Sequence, residues 1–411
     1  MMRRHAWLGG LVVACLMVQT AVPRDPPKET PKPFSAEKEQ EKEPELHPKA
    51  PDPVPVETLT ASIKRGIDFL LKDQNKDGSW GSAERTKDLN IYAPVPGAHH
   101  AFRTAVTAMC VSGLIEVDDH SDAVKKAIER GETYLIEELP KVRRGSTDAI
   151  YNVWTHAYGI QALVHMYKRL PEDKDRQKKI ADLIRGQYDR LSRYETTEGG
   201  WGYYDFGAQT QRPNADSTSF VVATVLEVFH EAKEIGVDPP EKVTKRAIES
   251  LKEQRKPDFT YLYGTYLKYK PMMGINRPGG SLGRSQACNL ALRLWGDKKV
   301  TDEVLKTWLD RLITRNGWLD MGRKRPIPHE SHFQVAGYFY YYGHYYASLC
   351  IGQLKAEEQP FYQDHLAHLL LDRQEKDGSW WDYPLYNYHQ QYGTAFGLMT
   401  LKRCEKLAAK N

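Results

Sequence analysis

The chain has 411 residues, of which 27% are charged and 40% hydrophobic, ordinary for a globular protein and long enough to bury a sizeable core. Its formal charge of +4 is gathered into no basic patch with interleaved aromatics, so nucleic acid is not an expected partner. Cys110, Cys288, Cys350 and Cys404 lie in apolar stretches without CxxC spacing, which predicts buried thiols and not a disulfide framework.

In chain order, residues 1–22 come first. Arg3 and Arg4 precede the apolar run Ala6–Val18, the pattern of a secretory signal peptide and too short for a bilayer span. Val12-Val13-Ala14-Cys15 has the form of a bacterial lipobox, in which Cys15 would carry lipid. The expected location is therefore outside the cytoplasm: periplasmic, secreted, or held at a membrane as a lipoprotein. Residues 23–56 follow as a tether. Arg24–Pro55 holds nine prolines, eight acidic and six basic residues with almost nothing to bury, which predicts disorder.

From 57 to 411 the chain repeats itself about every sixty residues. Gln74 and Asp77-Gly78-Ser79-Trp80 recur 300 residues later as Gln374 and Asp377-Gly378-Ser379-Trp380. Gln254, Trp201 and Trp318 fall close to the same phase, and Arg65-Gly66 has partial copies at Arg130-Gly131 and Arg185-Gly186. Each unit contains two helical patterns. The first is charged and amphipathic, at 58–74, 121–139, 176–195, 241–255, 301–315 and 359–374. The second is apolar nearly all round, at 102–117, 150–169, 217–234, 285–295, 333–354 and 387–406. A helix with no wet face belongs inside. The predicted fold is all-α, a single α/α toroid of six helical hairpins with the charged helices outside. The Asp-Gly-Ser-Trp turns are expected to be structural, with the tryptophan packed back over its hairpin.

Arg65-Gly66-x-x-Phe69-Leu70-x-x-x-Gln74-x-x-x-Gly78-x-Trp80 resembles the QW repeat of triterpene cyclases such as squalene–hopene cyclase, whose repeat superfamily includes protein prenyltransferase β-subunits. The resemblance covers roughly residues 58–406 and implies the toroid. It also locates two chemistries. Cyclases of this type protonate substrate with the middle carboxylate of a D-x-D-D-T motif; here the segment reads Asn214-Ala215-Asp216-Ser217-Thr218, keeping Asp216 without its acidic neighbours. Prenyltransferases bind zinc through D-x-C and a distant histidine; here Thr218 stands in the thiolate's place, and Tyr388-His389-x-x-Tyr392 resembles the histidine segment. Both motifs are eroded.

The inner-helix starts are rich in polar and aromatic residues, and in a toroid they surround one mouth of a central funnel. A concave site with convergent polar groups is the default ligand site. Asp216, His156 and Asn152 are the candidate catalytic residues; Asp216 also stands where a helix N-cap would. Arg284, Trp154, Tyr338, Tyr342, Tyr388 and Tyr392 are the candidate ligand-binding residues. No cofactor is expected, although His99, His332 and His389 lie on neighbouring helix starts of a closed ring and could together hold a zinc-type ion. The tyrosine-rich stretch 256–283 reads either as a lid or as a packed helical piece. The expected partner is a small molecule, isoprenoid or saccharide, in the funnel. The leading reading is an exported ligand-binding toroid of the cyclase and prenyltransferase repeat type, with any terpenoid-cyclase-like activity open. The alternatives are a polysaccharide lyase or hydrolase of the cell envelope, and an interaction scaffold.

Overall fold

The charged, amphipathic segments form one set of helices and the apolar segments another, alternating along the chain. In the computed structural model, which describes residues 46–405 apart from 88–96, 206, 208–212 and 214–215, thirteen α-helices are present and no sheet. The signal region, Cys15 and the start of the tether lie outside the described residues, as do Asn214 and Ala215. The first set is α1 (Val56–Asp73), α3 (Asp122–Glu138), α5 (Lys174–Tyr194), α7 (Glu241–Gln254), α9 (Asp302–Thr314) and α12 (Gln359–Leu371). The second is α2 (Ala98–Glu116), α4 (Asn152–Arg169), α6 (Ser219–Glu234), α8 (Leu282–Leu294), α11 (Phe339–Ile351) and α13 (His389–Cys404). A short α10 (Asn316–Asp320) follows α9.

The second set closes on itself. α2 packs on α4, α4 on α6, α6 on α8, α8 on α11, α11 on α13, and α13 back on α2. The first set lies outside this ring, each helix against an inner one, completing an α/α toroid. The outer helices keep one wet face because their apolar residues recur at three and four; in α1 the buried side is Leu59, Ile63, Ile67 and Leu70. Three outer helices begin with side-chain caps, from Ser121, Asp173 and Thr301. The four cysteines expected as thiols are buried and unpaired.

The repeated turn is the joint between neighbouring hairpins. The Trp80, Trp201 and Trp380 side chains are fully buried, and each indole N–H donates to a carbonyl ten residues back, at Leu70, Leu191 and Leu370 (2.8–2.9 Å). Gln74 Nε2 donates to Gly78 O and to Ala127 O on α3, both at 2.9 Å. Gln374 repeats this at the seam, donating to Gly378 O and to Ser62 O on α1, so the last repeat grips the first. Trp380 lies over Gly66, where a Cβ would stand 2.8 Å from the indole Cζ3. Gly78 and Gly378 have φ of +87° and +90°, and they sit four and six residues beyond the C-caps Gln74 and Asp372, inside the turn and not at the helix end. Trp318 departs from the pattern: it is half-buried on α10, edge-on to Phe333 at 4.5 Å.

One segment departs from expectation, and a second takes one of its two expected forms. The compact unit begins at Leu46, ten residues before the expected end of the tether. His47 stacks on Phe361 at 4.9 Å and bonds Asp310 at 3.0 Å; Val54 is buried and its N–H donates to Asp364 Oδ1; Asp52 O accepts from His368 Nε2 at 2.8 Å. A proline-rich strand needs few backbone donors, so it can lie across α9 and α12 with one buried anchor. The stretch 256–283 takes the packed form, with short 3-10 helices at Thr265–Leu267 and Gly274–Asn276: Tyr261, Tyr263, Ile275 and Asn276 are buried, and Tyr263 N–H donates to Asn276 Oδ1 at 2.8 Å.

Candidate functional site

Ring closure leaves a space where the first turns of the inner helices face one another. The wall is built from residues three or four apart on each helix: Phe102, Ala105, Val106 and Met109 on α2; Trp154 and Tyr158 on α4; Phe339 and Tyr342 on α11; Tyr392 and Phe396 on α13. Phe220 of α6 joins them, and Tyr151, Tyr203, Tyr338, Tyr383 and Leu385 come from the connections before the helices. The cavity has a volume of about 180 Å³ and opens at one mouth. All sixteen lining residues are apolar or aromatic.

The rings brace one another. Phe220 meets Phe339 edge-on at 5.0 Å, Tyr263 at 5.3 Å and Trp154 at 5.6 Å, the offset contacts that aromatic quadrupoles favour. The hydroxyls are tied back: Tyr342 donates to Phe220 O at 3.0 Å, and Tyr392 to Asp382 Oδ1 at 2.6 Å. Asp382 Oδ2 accepts the Tyr341 N–H at 3.0 Å, and burial pushes this carboxyl up to about 6. A charged layer lies further along the inner helices. Arg403 of α13 pairs with Glu116 of α2 at 2.9 Å, while burial raises Glu116 to about 7 and holds Glu227 and its neighbour Glu231 well toward the neutral acid.

Of the expected ligand-binding residues, Trp154, Tyr338, Tyr342 and Tyr392 line the cavity. Tyr388 stands behind Phe102 with its hydroxyl against His99 Nδ1 at 3.1 Å. Arg284 is fully buried and donates to the carbonyls of Gly280, Tyr261 and Ile275, so it braces the 256–283 loop and does not line the cavity. The candidate catalytic residues are not at the wall either. His156 is fully buried with Nδ1 on Gln187 of α5 at 2.8 Å and Nε2 on Asn152 at 3.3 Å; burial lowers it to about 4, which keeps it neutral. Asp216 is exposed and accepts from Thr265 at 3.1 Å, and the N-cap of α6 is Thr218 without a side-chain cap.

Among the described residues no group of three His, Cys, Asp or Glu side chains is placed to hold a metal ion. His99 bonds Tyr388, His332 packs against Phe333 at 4.8 Å, and His389 Nδ1 donates to Tyr386 O at 2.6 Å.

Sequence reasoning missed Tyr203, Phe220, Phe339 and Phe396, and the apolar strip of α2. Their signal was available: Phe102, Ala105, Val106 and Met109 keep helical spacing on one face. It also missed the acids Glu116, Glu227 and Glu231, charges placed on helices that otherwise read as apolar.

No family model matches the chain. A squalene–hopene cyclase of Alicyclobacillus acidocaldarius is 32% identical over 120 residues, covering 24% of this chain and 17% of the cyclase. The chain thus matches less than a fifth of that curated relative's length. Among solved structures, an apo type II terpene cyclase from Scytonema has a TM-score of 0.49 at 14% identity, covering 86% of this chain and 100% of its own. A family 76 glycoside hydrolase from a bovine Bacteroides thetaiotaomicron strain has a TM-score of 0.49 at 10% identity, covering 84% of this chain and 77% of its own. The chain is distantly similar to squalene–hopene cyclase in sequence.

Proposed function

We propose that this protein is an exported toroid that binds an elongated, mainly apolar ligand of the isoprenoid class in its central cavity. The observation that carries the reading is the wall itself, sixteen side chains without a formal charge, twelve of them aromatic. Each buried CH₂ of a ligand contributes about 0.8 kcal/mol, so a branched hydrocarbon chain gains affinity along its whole length. Ring faces also tolerate positive charge. The histidines that would intercept a cation are withheld from the wall: His156 faces α5, and His344 bonds Asn316 and Tyr340 O. The sequence likeness to squalene–hopene cyclase points to the same ligand class.

Of Asn152, His156, Arg284 and Tyr342, the side chains that could act on a saccharide, the first three face other partners, and Tyr342 lines the wall with its hydroxyl donated to Phe220 O. A sugar would have to surrender water to a wall offering few free polar atoms, at a cost of roughly 1–3 kcal/mol for each unpaired group. A scaffold would not need an open apolar space at the ring's centre.

A quenching titration with farnesol tests the reading. Saturable one-to-one binding is expected, and Ala105→Trp or Val106→Trp, which fill the cavity from α2, should abolish it while the thermal transition stays cooperative. Binding of an oligosaccharide in place of farnesol, or farnesol binding untouched by both substitutions, would overturn it.

A further inference from the structure

One corner of the cavity is not apolar in its depth. Tyr203 and Tyr338 line the wall, and their hydroxyls belong to a continuous chain: Tyr203 to Tyr263, Tyr263 to Tyr338 at 3.1 Å, and Tyr338 to His329 Nε2 at 3.1 Å. The far end fixes the direction of every proton in it. His329 Nδ1 lies 2.7 Å from the backbone oxygen of Gln334, which can only accept, so the ring carries its hydrogen on Nδ1 and offers a bare Nε2. Burial lowers the pKa of His329 and so keeps the ring neutral.

The rest follows from one hydrogen per hydroxyl. Tyr338 must donate to Nε2. Its oxygen then accepts from Tyr263, and the oxygen of Tyr263 accepts from Tyr203. Tyr203 is left at the cavity with lone pairs and no hydrogen to give, and among the described residues no donor reaches its oxygen. The arrangement is built to persist: His329 holds φ +62°, Tyr263 is 4% exposed, and the Arg284 guanidinium lies 5.3 Å from the Tyr263 ring.

Resting on the isoprenoid reading above, we propose that this corner selects a ligand whose head group is a hydrogen-bond donor, an isoprenoid alcohol or phenol, by accepting its hydroxyl at Tyr203. His329 acts as a positioning residue that sets the polarity through Tyr338 and Tyr263. An acceptor-only head group, such as an ether or ketone, meets lone pairs on both sides.

The test compares three probes with one tail: farnesol, farnesyl methyl ether, and the hydrocarbon lacking oxygen. Wild type should bind farnesol on the order of 3- to 10-fold more tightly than the ether, one hydrogen bond's worth. Tyr203→Phe should erase that gap while the hydrocarbon still binds, which reports that the cavity is intact. Tyr338→Phe frees Tyr263 to donate toward Tyr203, so the Tyr203 hydrogen can turn to the cavity and the ether should gain on the alcohol. Equal wild-type affinity for alcohol and ether, with the hydrocarbon still bound, would overturn the head-group proposal alone; so would a gap that survives Tyr203→Phe. Failure of all three probes to bind would overturn the cavity reading and this proposal with it.

Discussion

Trp380→Ala probes the seam where the last repeat meets the first. The side chain is fully buried, its indole N–H donates to Leu370 O at 2.9 Å, and its ring covers Gly66. Removing it opens a cavity and orphans a carbonyl, a loss of about 4–5 kcal/mol. Spread over an unfolding entropy of roughly 2 cal/mol/K per residue in a domain this large, that is about 5–7 °C in Tm. Gly66→Ala tests the same contact from the other side. Its Cβ would fall 2.8 Å from the Trp380 ring and 2.9 Å from Leu398 Cδ2, an overpacking of about 1–3 kcal/mol, offset by up to about 1 kcal/mol of helix propensity. Once Trp380 is alanine the ring is gone and the Leu398 methyl can turn aside, so Gly66→Ala should become neutral or stabilising. Calorimetry on wild type, both single variants and the double variant gives the coupling, expected to exceed about 1 kcal/mol. Additive losses within about 0.3 kcal/mol, or a Trp380→Ala loss under about 1 kcal/mol, would refute the interlocking account.

Deleting residues 46–55 should cost about 2 kcal/mol in urea unfolding, from Val54 burial and its N–H bond to Asp364, whereas an unpacked tether would cost nothing. Asp216→Asn should leave farnesol affinity within twofold, since Asp216 does not line the cavity; a loss of tenfold or more would return it to the site. Asp382 sets a pH dependence. Its carboxyl rises from 3.8 to about 6 on folding, so the folded chain holds the extra proton between those values, and stability present below about pH 4 is lost as pH rises to about 6. The difference between wild type and Asp382→Asn across that window should be about 3 kcal/mol; a flat difference would contradict it.

The repeat was legible because the joint is local. Gln74, Gly78 and Trp80 bond within ten residues of one another and onto the next helix, so the same letters recur wherever the joint recurs. The strap at 46–55 was not legible, because prolines and charges describe what a segment cannot bury and say nothing of a single Val54 that can. The site was half legible. Polar helix starts do surround the mouth, but rotation about each helix decides which side chains enter. Trp154 and Tyr158 are one turn apart and face in, whereas Asn152 and His156 each lie two residues from Trp154, about 200° around the helix, and face α5. That angle could have been read from spacing alone. The Tyr203–Tyr263–Tyr338–His329 chain could not, because its members come from connections whose approach depends on the closed ring.

The most direct measurement is a crystal structure of the protein grown with saturating farnesol. The account predicts one ligand along the wall between Trp154 and Phe396, with its oxygen beside Tyr203. Ligand density outside the ring, or a cavity filled by its own side chains with no ligand, would contradict it.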